Sequence, residues 1–170
     1  TAAASSDFNF SASDFTISTW VYVRSFGGGN STIANLRSDG NNVTAFYINS
    51  SGDIMVEDWQ GGTATNRTVD TGVVITKGTW HQVTIAYDLS DTQMKVYVDG
   101  IQKAETHFTA PGNRSSQTLH IGSQSGTSSF LDGYMDEIMF INGAMLQPRF
   151  YLGNQTPESG GSLTAFKYAY

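Results

Sequence analysis

The chain has no cysteine, and it has little proline and little charge: its 170 residues include three prolines, and 14% are Asp, Glu, Lys or Arg. The absence of cysteine excludes a disulfide framework and thiol chemistry. Glu and Lys, common on the surfaces of helices, number four each, so long surface helices are disfavoured. Aromatic residues make up 12% of the chain, which favours strands and excludes a disordered chain.

Basic residues are few and scattered, with nine Lys and Arg and a net charge of -6. Binding to nucleic acid or to an anionic membrane needs clustered positive charge. No apolar run approaches the roughly 18 residues of a membrane-spanning helix. The composition therefore predicts a single domain that neither binds nucleic acid nor inserts into a membrane.

Short alternating segments separated by Gly, Asn, Asp and Ser clusters run along the chain, a pattern typical of an antiparallel sandwich or barrel. The pair Asp99-Gly100 predicts a two-residue hairpin turn. Apolar residues on both faces of 130–142 predict a strand that is covered on both sides. Strands are predicted at 15–25, 31–37, 43–49, 53–59, 80–88, 93–98, 101–108, 118–122 and 130–142, with a further extended stretch that ends at Ile75.

Several of these segments together carry a family resemblance. In order they are FTISTWVYV, GTWHQVTIAYD, MKVYVDGIQ, LHIG and FLDGYMDEIMFINGAML. This set, spread over residues 8–147, resembles the laminin-G-like, concanavalin A-like lectin/glucanase superfamily. The resemblance implies an all-β jelly-roll sandwich of two curved antiparallel sheets, in agreement with the alternation. We expect the sandwich to occupy 1–152, and 153–170 to be a linker and an aromatic tail of the same domain or an assembly contact.

Some of the residues that carry the resemblance have structural explanations. Trp80 is expected to plug the edge of the sandwich, and Gly122 and Gly133 to permit close backbone approach or a bulge. The resemblance therefore identifies a scaffold, and function has to be argued from the site.

The carboxylates do not form the pattern that glycoside hydrolysis needs. Hydrolases of the family resembled place an acid and a nucleophile at alternating positions on one strand face, flanking the bond. Asp53 and Glu57 stand four residues apart, roughly 13 Å along a strand, and the adjacent Asp136 and Glu137 point to opposite faces. The three histidines, His81, His107 and His120, fall in separate predicted strands. The sequence therefore predicts that the domain is not an enzyme.

Calcium is the metal that the resemblance implies. Several members of the family resembled hold one Ca²⁺ through an Asp on the late Asp-Glu strand and through carbonyls near the N-terminus and in an early turn. Asp136 matches the first position, and Gly40 and a residue around Asp7 could supply the carbonyls; such oxygen ligands suit a structural Ca²⁺. The structural alternative is that Asp136 accepts ordinary backbone hydrogen bonds.

Aromatic and polar residues alternate with the apolar set on the early strands. Aromatic rings beside hydrogen-bonding groups suit a sugar, which presents C–H bonds on its faces and hydroxyls at its rim. Alternatively, the same aromatics pack against loops or a neighbouring subunit. The outward set that would bind a glycan is Trp20, Tyr22, Arg24, Tyr47, Asn49, Glu57 and Trp59.

Two classes of function therefore remain open. The first is a non-catalytic, lectin-like module that binds a polysaccharide or another glycan. The second is an assembly protein, such as a virion decoration or fibre domain or a cell-surface domain, that contacts other subunits or forms a homo-oligomer. Both predict a location outside the cell or on the surface of a particle.

Overall fold

The computed structural model describes residues 1–37, 40–62 and 69–143. The predicted linker and tail at 153–170 lie outside these residues. Two 3₁₀ helices of three residues each, Ser6–Phe8 and Phe10–Ala12, precede the first strand, and the described helices include none that could cross a membrane. The strands are β1 (Phe15–Ser25), β2 (Ser31–Arg37), β3 (Val43–Ile48), β4 (Asp53–Trp59), β5 (Val69–Val74), β6 (Trp80–Asp88), β7 (Gln93–Val98), β8 (Ile101–His107), β9 (Thr118–Ile121) and β10 (Asp132–Asn142).

These strands form two antiparallel sheets that pack face to face. Sheet I has the strand order β10-β1-β6-β7-β8, and sheet II has the order β5-β4-β3-β2-β9. Strands distant in sequence, such as β1 and β10, lie side by side, as in jelly-roll connections. The all-β sandwich implied by the family resemblance, one of the two architectures that the alternation left open, is confirmed.

The core lies between the two sheets and is built from the inward half of each alternating strand. Because side chains alternate with a period of two, a slip of one residue would turn this set outward. Each large apolar side chain removed from water contributes about 1.5–3 kcal/mol to stability. Sheet I contributes Phe15, Ile17, Val21, Val23, Val83 and Ile85, and sheet II contributes Ile33, Leu36, Phe46, Ile48, Ile54 and Val56.

The hairpin predicted at Asp99-Gly100 joins β7 to β8. Asp99 has a φ of 53° and Gly100 a φ of 76°, and a two-residue turn of the I′ type requires this positive φ at both positions. Asp99 also accepts hydrogen bonds from the Gln82 amide at 3.0 Å and from Nδ1 of His81 at 2.8 Å. These bonds tie the turn to β6.

The prediction that residues 130–142 are covered on both faces is wrong, because β10 is the edge strand of sheet I and Met139 is 42% exposed. Ser18 pairs with Met139, whereas Trp20 pairs with Asp136, so β10 carries one extra residue there. Such a bulge interrupts the alternation. Because of the bulge, Met135 and Phe140 both pack against the core although they differ in parity. Met139 alternates with Phe140 and lies on the outer face of sheet I, so the second apolar face is exposed rather than covered.

The expectation that Trp80 plugs the edge of the sandwich is also wrong. Trp80 is 43% exposed, and its ring lies beside that of Tyr22 on the outer face of sheet I, with centroids 5.7 Å apart. The close approach expected at Gly133 is confirmed: a Cβ placed there would lie 1.9 Å from the carbonyl oxygen of Tyr22.

Candidate functional site

The outer face of sheet II carries a cavity of about 230 Å³. Its floor is apolar, because Val43 and Ala45 lie there and belong to an outward apolar cluster with Tyr47, Met55 and Trp59. Cavities that enclose drug-sized ligands span ~300–1,000 Å³, so this one suits a smaller group such as a single sugar ring. Its polar lining includes Asn30, Thr32, Asn35, Arg37, Glu57 and Gln124.

Strand pairing arranges most of the cavity residues, together with the neighbouring Met55, in rows across sheet II. The rows are Trp59, Val43 and Arg37; Glu57, Ala45 and Asn35; and Met55, Tyr47 and Thr32. Residues directly opposite in an antiparallel pair share a face. Since neighbouring strands lie about 4.8 Å apart, the outer members of a row stand about 10 Å apart. The small side chains of Val43 and Ala45 on the central strand β3 therefore leave a cleft between larger ones on β4 and β2.

The chemistry of this cleft is asymmetric. On one side are the ring of Trp59 and the carboxylate of Glu57 on β4. On the other are the amide of Asn35 and the guanidinium of Arg37 on β2. Aromatic faces next to hydrogen-bonding groups match the C–H faces and the hydroxyl rim of a sugar.

Arg114 supports the cleft from the core side of sheet II. Its Nη2 donates to the carbonyl oxygens of Trp59 at 2.7 Å and Val43 at 3.2 Å. The same nitrogen donates to Oδ1 of Asp58 at 2.7 Å, and Nε donates to Oγ1 of Thr44 at 2.8 Å. The buried side chain of Arg114 thus holds the backbone of β3, at the floor of the cleft, and of β4, at one wall.

Asn35 and His120 lie next to each other at the β2 side of the cleft, since they pair across β2 and β9. Within the described part of the chain, Oδ1 of Asn35 and Nδ1 of His120 are buried without a hydrogen-bond partner. The pKa of His120 lies below its ordinary value because burial disfavours the charged form, and nearby positive charge, including that of Arg37, adds to this.

The structure brings together three of the seven predicted glycan-binding residues. Tyr47, Glu57 and Trp59 line the cavity. Asn49 instead closes the turn between β3 and β4, where its Oδ1 accepts hydrogen bonds from the amides of Ser51 and Asp53, each at 2.9 Å.

Trp20, Tyr22 and Arg24 belong to β1 of sheet I, so the seven residues do not form one platform. The ring centroid of Tyr22 lies 5.7 Å from that of Trp80 and 5.9 Å from that of Tyr134. Arg24 pairs with Asp132 at 2.6 Å. The two surfaces lie on opposite sides of the sandwich because sheets I and II pack through their inner faces.

The residues predicted to hold calcium lie on different elements of the fold. Gly40 lines the cavity on sheet II, whereas Asp136 pairs with Trp20 on sheet I and accepts the Glu137 amide at 2.8 Å. Asp7 accepts the Ser5 hydroxyl at 2.9 Å beside the first 3₁₀ helix. Among residues 1–37, 40–62 and 69–143, no group of three acidic or histidine side chains could hold a metal. Calcium binding stays a prediction, and melting curves with and without EDTA test it.

The carboxylates of β4 serve different purposes. Asp53 accepts a hydrogen bond from Nδ2 of Asn49 at 3.0 Å. Glu57 lines the cavity, but its neighbour Asp58 points into the core and pairs with Arg114. The three carboxylates therefore do not flank one cleft as an acid and nucleophile would. The histidines lie on three different strands, β6, β8 and β9.

Sequence reasoning missed Asn35 and Arg37, which lie on the outer side of β2. Their alternation with the buried Leu36 was a usable signal for outward positions. Gln124 and Ser129 line the cavity from the segment between β9 and β10, and no local pattern marks them because only the fold brings that segment to β2.

The family model of the concanavalin A-like lectin/glucanases superfamily matches residues 1–149, and the chain belongs to this superfamily. A search of curated proteins finds no match.

Three solved structures are similar in fold. Domain 4 of AbnA, a GH43 extracellular arabinanase from Geobacillus stearothermophilus in complex with arabinotriose, has a TM-score of 0.63 at 19% identity, over 82% of this chain and 66% of that one. The CBM40 of the Ruminococcus gnavus IT-sialidase, bound to α2,3-sialyllactose, has a TM-score of 0.63 at 17% identity, over 79% and 78%. A putative carbohydrate-binding protein from Bacteroides ovatus has a TM-score of 0.59 at 21% identity, over 78% of this chain and 37% of that one.

Proposed function

We propose that this chain is a non-catalytic glycan-binding module that acts outside the cell or on a surface, and that the cavity on sheet II is its binding site. The observation that carries the proposal is the cleft itself: Trp59 and Tyr47 stand over a small apolar floor, with Glu57 and Asn35 facing each other across Ala45. A sugar ring fits such a cleft with its C–H faces on the aromatics and its hydroxyls on the polar groups.

The solved structures support the proposal at the level of the module. Two of them have a sugar ligand, and one is a domain of an extracellular enzyme. In each of these two, the similar unit is a separate domain or binding module of a larger glycan-degrading protein. A binding role for this chain is consistent with the dispersed carboxylates of β4.

The test is a glycan array followed by calorimetric titration of the best ligand. We expect Trp59→Ala to weaken binding more than tenfold, because central aromatic residues of an interface often contribute about 2 kcal/mol or more. The matched control is Trp80→Ala, which removes an equally large ring from the opposite sheet and should leave affinity unchanged. Equal affinity of wild type and Trp59→Ala, or no binding to any glycan, would refute the proposal.

A second candidate function is assembly with further copies of this chain through the outer face of sheet I. It is favoured by one observation: Trp80 is 43% and Tyr134 56% exposed, and both rings flank Tyr22. Exposed aromatic patches mark contact surfaces. Light scattering on a sizing column tests this, with Trp80→Ala expected to shift an oligomer to monomer. A wild-type monomer at high concentration would exclude it.

A further inference from the structure

Arg37 is a cation without an ion-pair partner in the described structure. Arg24 pairs with Asp132 and Arg114 pairs with Asp58, whereas none of the described carboxylates lies within ion-pair distance of Arg37. Arg37 is half-buried and lines the cavity. A guanidinium presents a planar set of donors that matches a carboxylate, so an unpaired arginine in a cavity indicates an anionic ligand group.

The charges of the cavity are separated across sheet II. Arg37 stands on β2 and Glu57 on β4, in adjacent rows of the pairing register. From the strand spacing and the two-residue offset, their Cα atoms lie about 12 Å apart. A ligand that spans the cleft therefore meets donors at one end and an acceptor carboxylate at the other. Electrostatic complementarity orients its anionic group toward β2 and its hydroxyl or amide donors toward β4.

Asn35 adds an acceptor on the same side as Arg37. It lines the cavity and is 2% exposed, and its Oδ1 is buried without a donor among the described residues. Buried polar atoms without a partner are rare because each costs about 1–3 kcal/mol. A hydroxyl beside the anionic group of the ligand supplies the missing donor.

We infer that the cavity binds an acidic sugar, one whose carboxylate pairs with Arg37 while its hydroxyls reach Asn35 and Glu57. The inference rests on the proposed function, since it names the ligand class of the same site. A neutral sugar has no carboxylate to pair with the Arg37 guanidinium in the cavity. It would contact only the groups that bind hydroxyls, Asn35 and Glu57.

The experiment compares pairs of ligands that differ only in whether they carry a carboxylate or a hydroxymethyl group: methyl glucuronide with methyl glucoside, and methyl galacturonide with methyl galactoside. Calorimetry on the full chain should give at least tenfold tighter binding of the acidic member in one pair or both. Arg37→Gln should abolish this preference, and Arg37→Lys should keep part of it because the charge remains. Lys103→Gln, which removes an exposed charge from β8, serves as the control and should keep the preference in full.

Equal affinity for acidic and neutral members would overturn the inference, as would a preference that survives Arg37→Gln in a variant with unchanged melting temperature. In either case neutral-sugar binding that is lost in Trp59→Ala would leave the proposed function standing. If wild type bound neither member of either pair nor any sugar on the array, both the inference and the proposed function would fail.

Discussion

Arg114 and Asp58 form an ion pair of 2.7 Å in which the two side chains are 2% and 0% exposed. Asp58 is also bound by the Thr44 hydroxyl at 2.6 Å and by Nε2 of Gln60 at 2.9 Å. Since Arg114 also binds the backbone of two cavity strands, this pair joins the segment before β9 to the floor of the binding cleft.

We expect Arg114→Met to lower the free energy of unfolding by about 3–5 kcal/mol, because it leaves the Asp58 carboxylate buried without its counter-charge. The matched control is Arg24→Met, which breaks the pair with Asp132. Those side chains are 59% and 46% exposed, and such exposed pairs contribute about 0–1 kcal/mol. Denaturant unfolding measures both losses, and similar values for the two variants would contradict the assignment of Arg114 as a structural anchor.

Glu57 and Asp58 are neighbours in sequence that face opposite sides of sheet II. Replacing either carboxylate by the matching amide should therefore affect a different property: glycan binding for Glu57 and stability for Asp58. Glu57→Gln should weaken glycan binding and change stability by less than about 1 kcal/mol, as for other surface charges. Asp58→Asn should instead lower the melting temperature strongly, since it removes the buried partner of Arg114. Calorimetric titration and thermal melts of both variants test this. If Asp58→Asn weakened binding and Glu57→Gln lowered the melting temperature instead, the assignment of the binding cleft to the outer face of sheet II would be contradicted.

Gly133 lies where β10 approaches β1 too closely for a side chain. A Cβ at this position would meet the Tyr22 carbonyl oxygen at 1.9 Å and the Val23 Cα at 3.2 Å. Gly133→Ala should therefore force the two backbones apart and cost about 1–3 kcal/mol, the usual range for overpacking. Gly28→Ala is the control, because a Cβ there meets nothing within 4 Å. Hydrogen exchange should speed up along β10 in Gly133→Ala alone; unchanged protection would contradict the contact.

His120 makes stability depend on pH. Its pKa in the folded chain lies below the ordinary 6.5, so the unfolded chain takes up a proton first as the pH falls. The free energy of unfolding should thus decrease as the pH falls below 6.5, until the folded state also binds the proton. Thermal melts between about pH 8 and about pH 5 should show this slope in wild type and a shallower one in His120→Gln.

Asp88 acts in a separate, more acidic window. Its pKa is held below 3.8, chiefly by the hydrogen bond from the Ser90 hydroxyl. The stability it contributes is present above that value and is lost at lower pH.

The prediction for His120 would be contradicted if, above this acidic range, the stability of wild type and of His120→Gln changed equally with pH. Another group would then be responsible for the slope.

The strands, their inward faces and the Asp99-Gly100 turn could be predicted because each depends on local chemistry. Alternation of apolar residues assigns Val83 and Ile85 to the core, whichever strands β6 pairs with. The turn needs only residues that tolerate positive φ. The bulge in β10 could not be predicted, because nothing in 130–142 states that one residue there lacks a partner on β1.

The family resemblance, and the sandwich fold that it implies, could likewise be predicted from the sequence, because the motifs of the family are spread along the strands. The candidate site was only partly available. Tyr47, Glu57 and Trp59 were recognised as outward residues, but so were Trp20, Tyr22 and Arg24, and the alternation treats both groups alike.

The amino-acid sequence by itself determined which side of each strand faces the core, since that depends on a period of two within a few residues. Only the tertiary structure decided which outward sides meet. β1 pairs with β6 and β10, whereas β3 and β4 pair with each other beside β2. This pairing places the outward aromatic residues of β1 on one surface of the sandwich and those of β3 and β4 on the opposite one. It also places Arg37 and Asn35 across the cleft from Trp59 and Glu57. Pairing between distant segments could not be predicted from local sequence because it is set by the packing of the whole core.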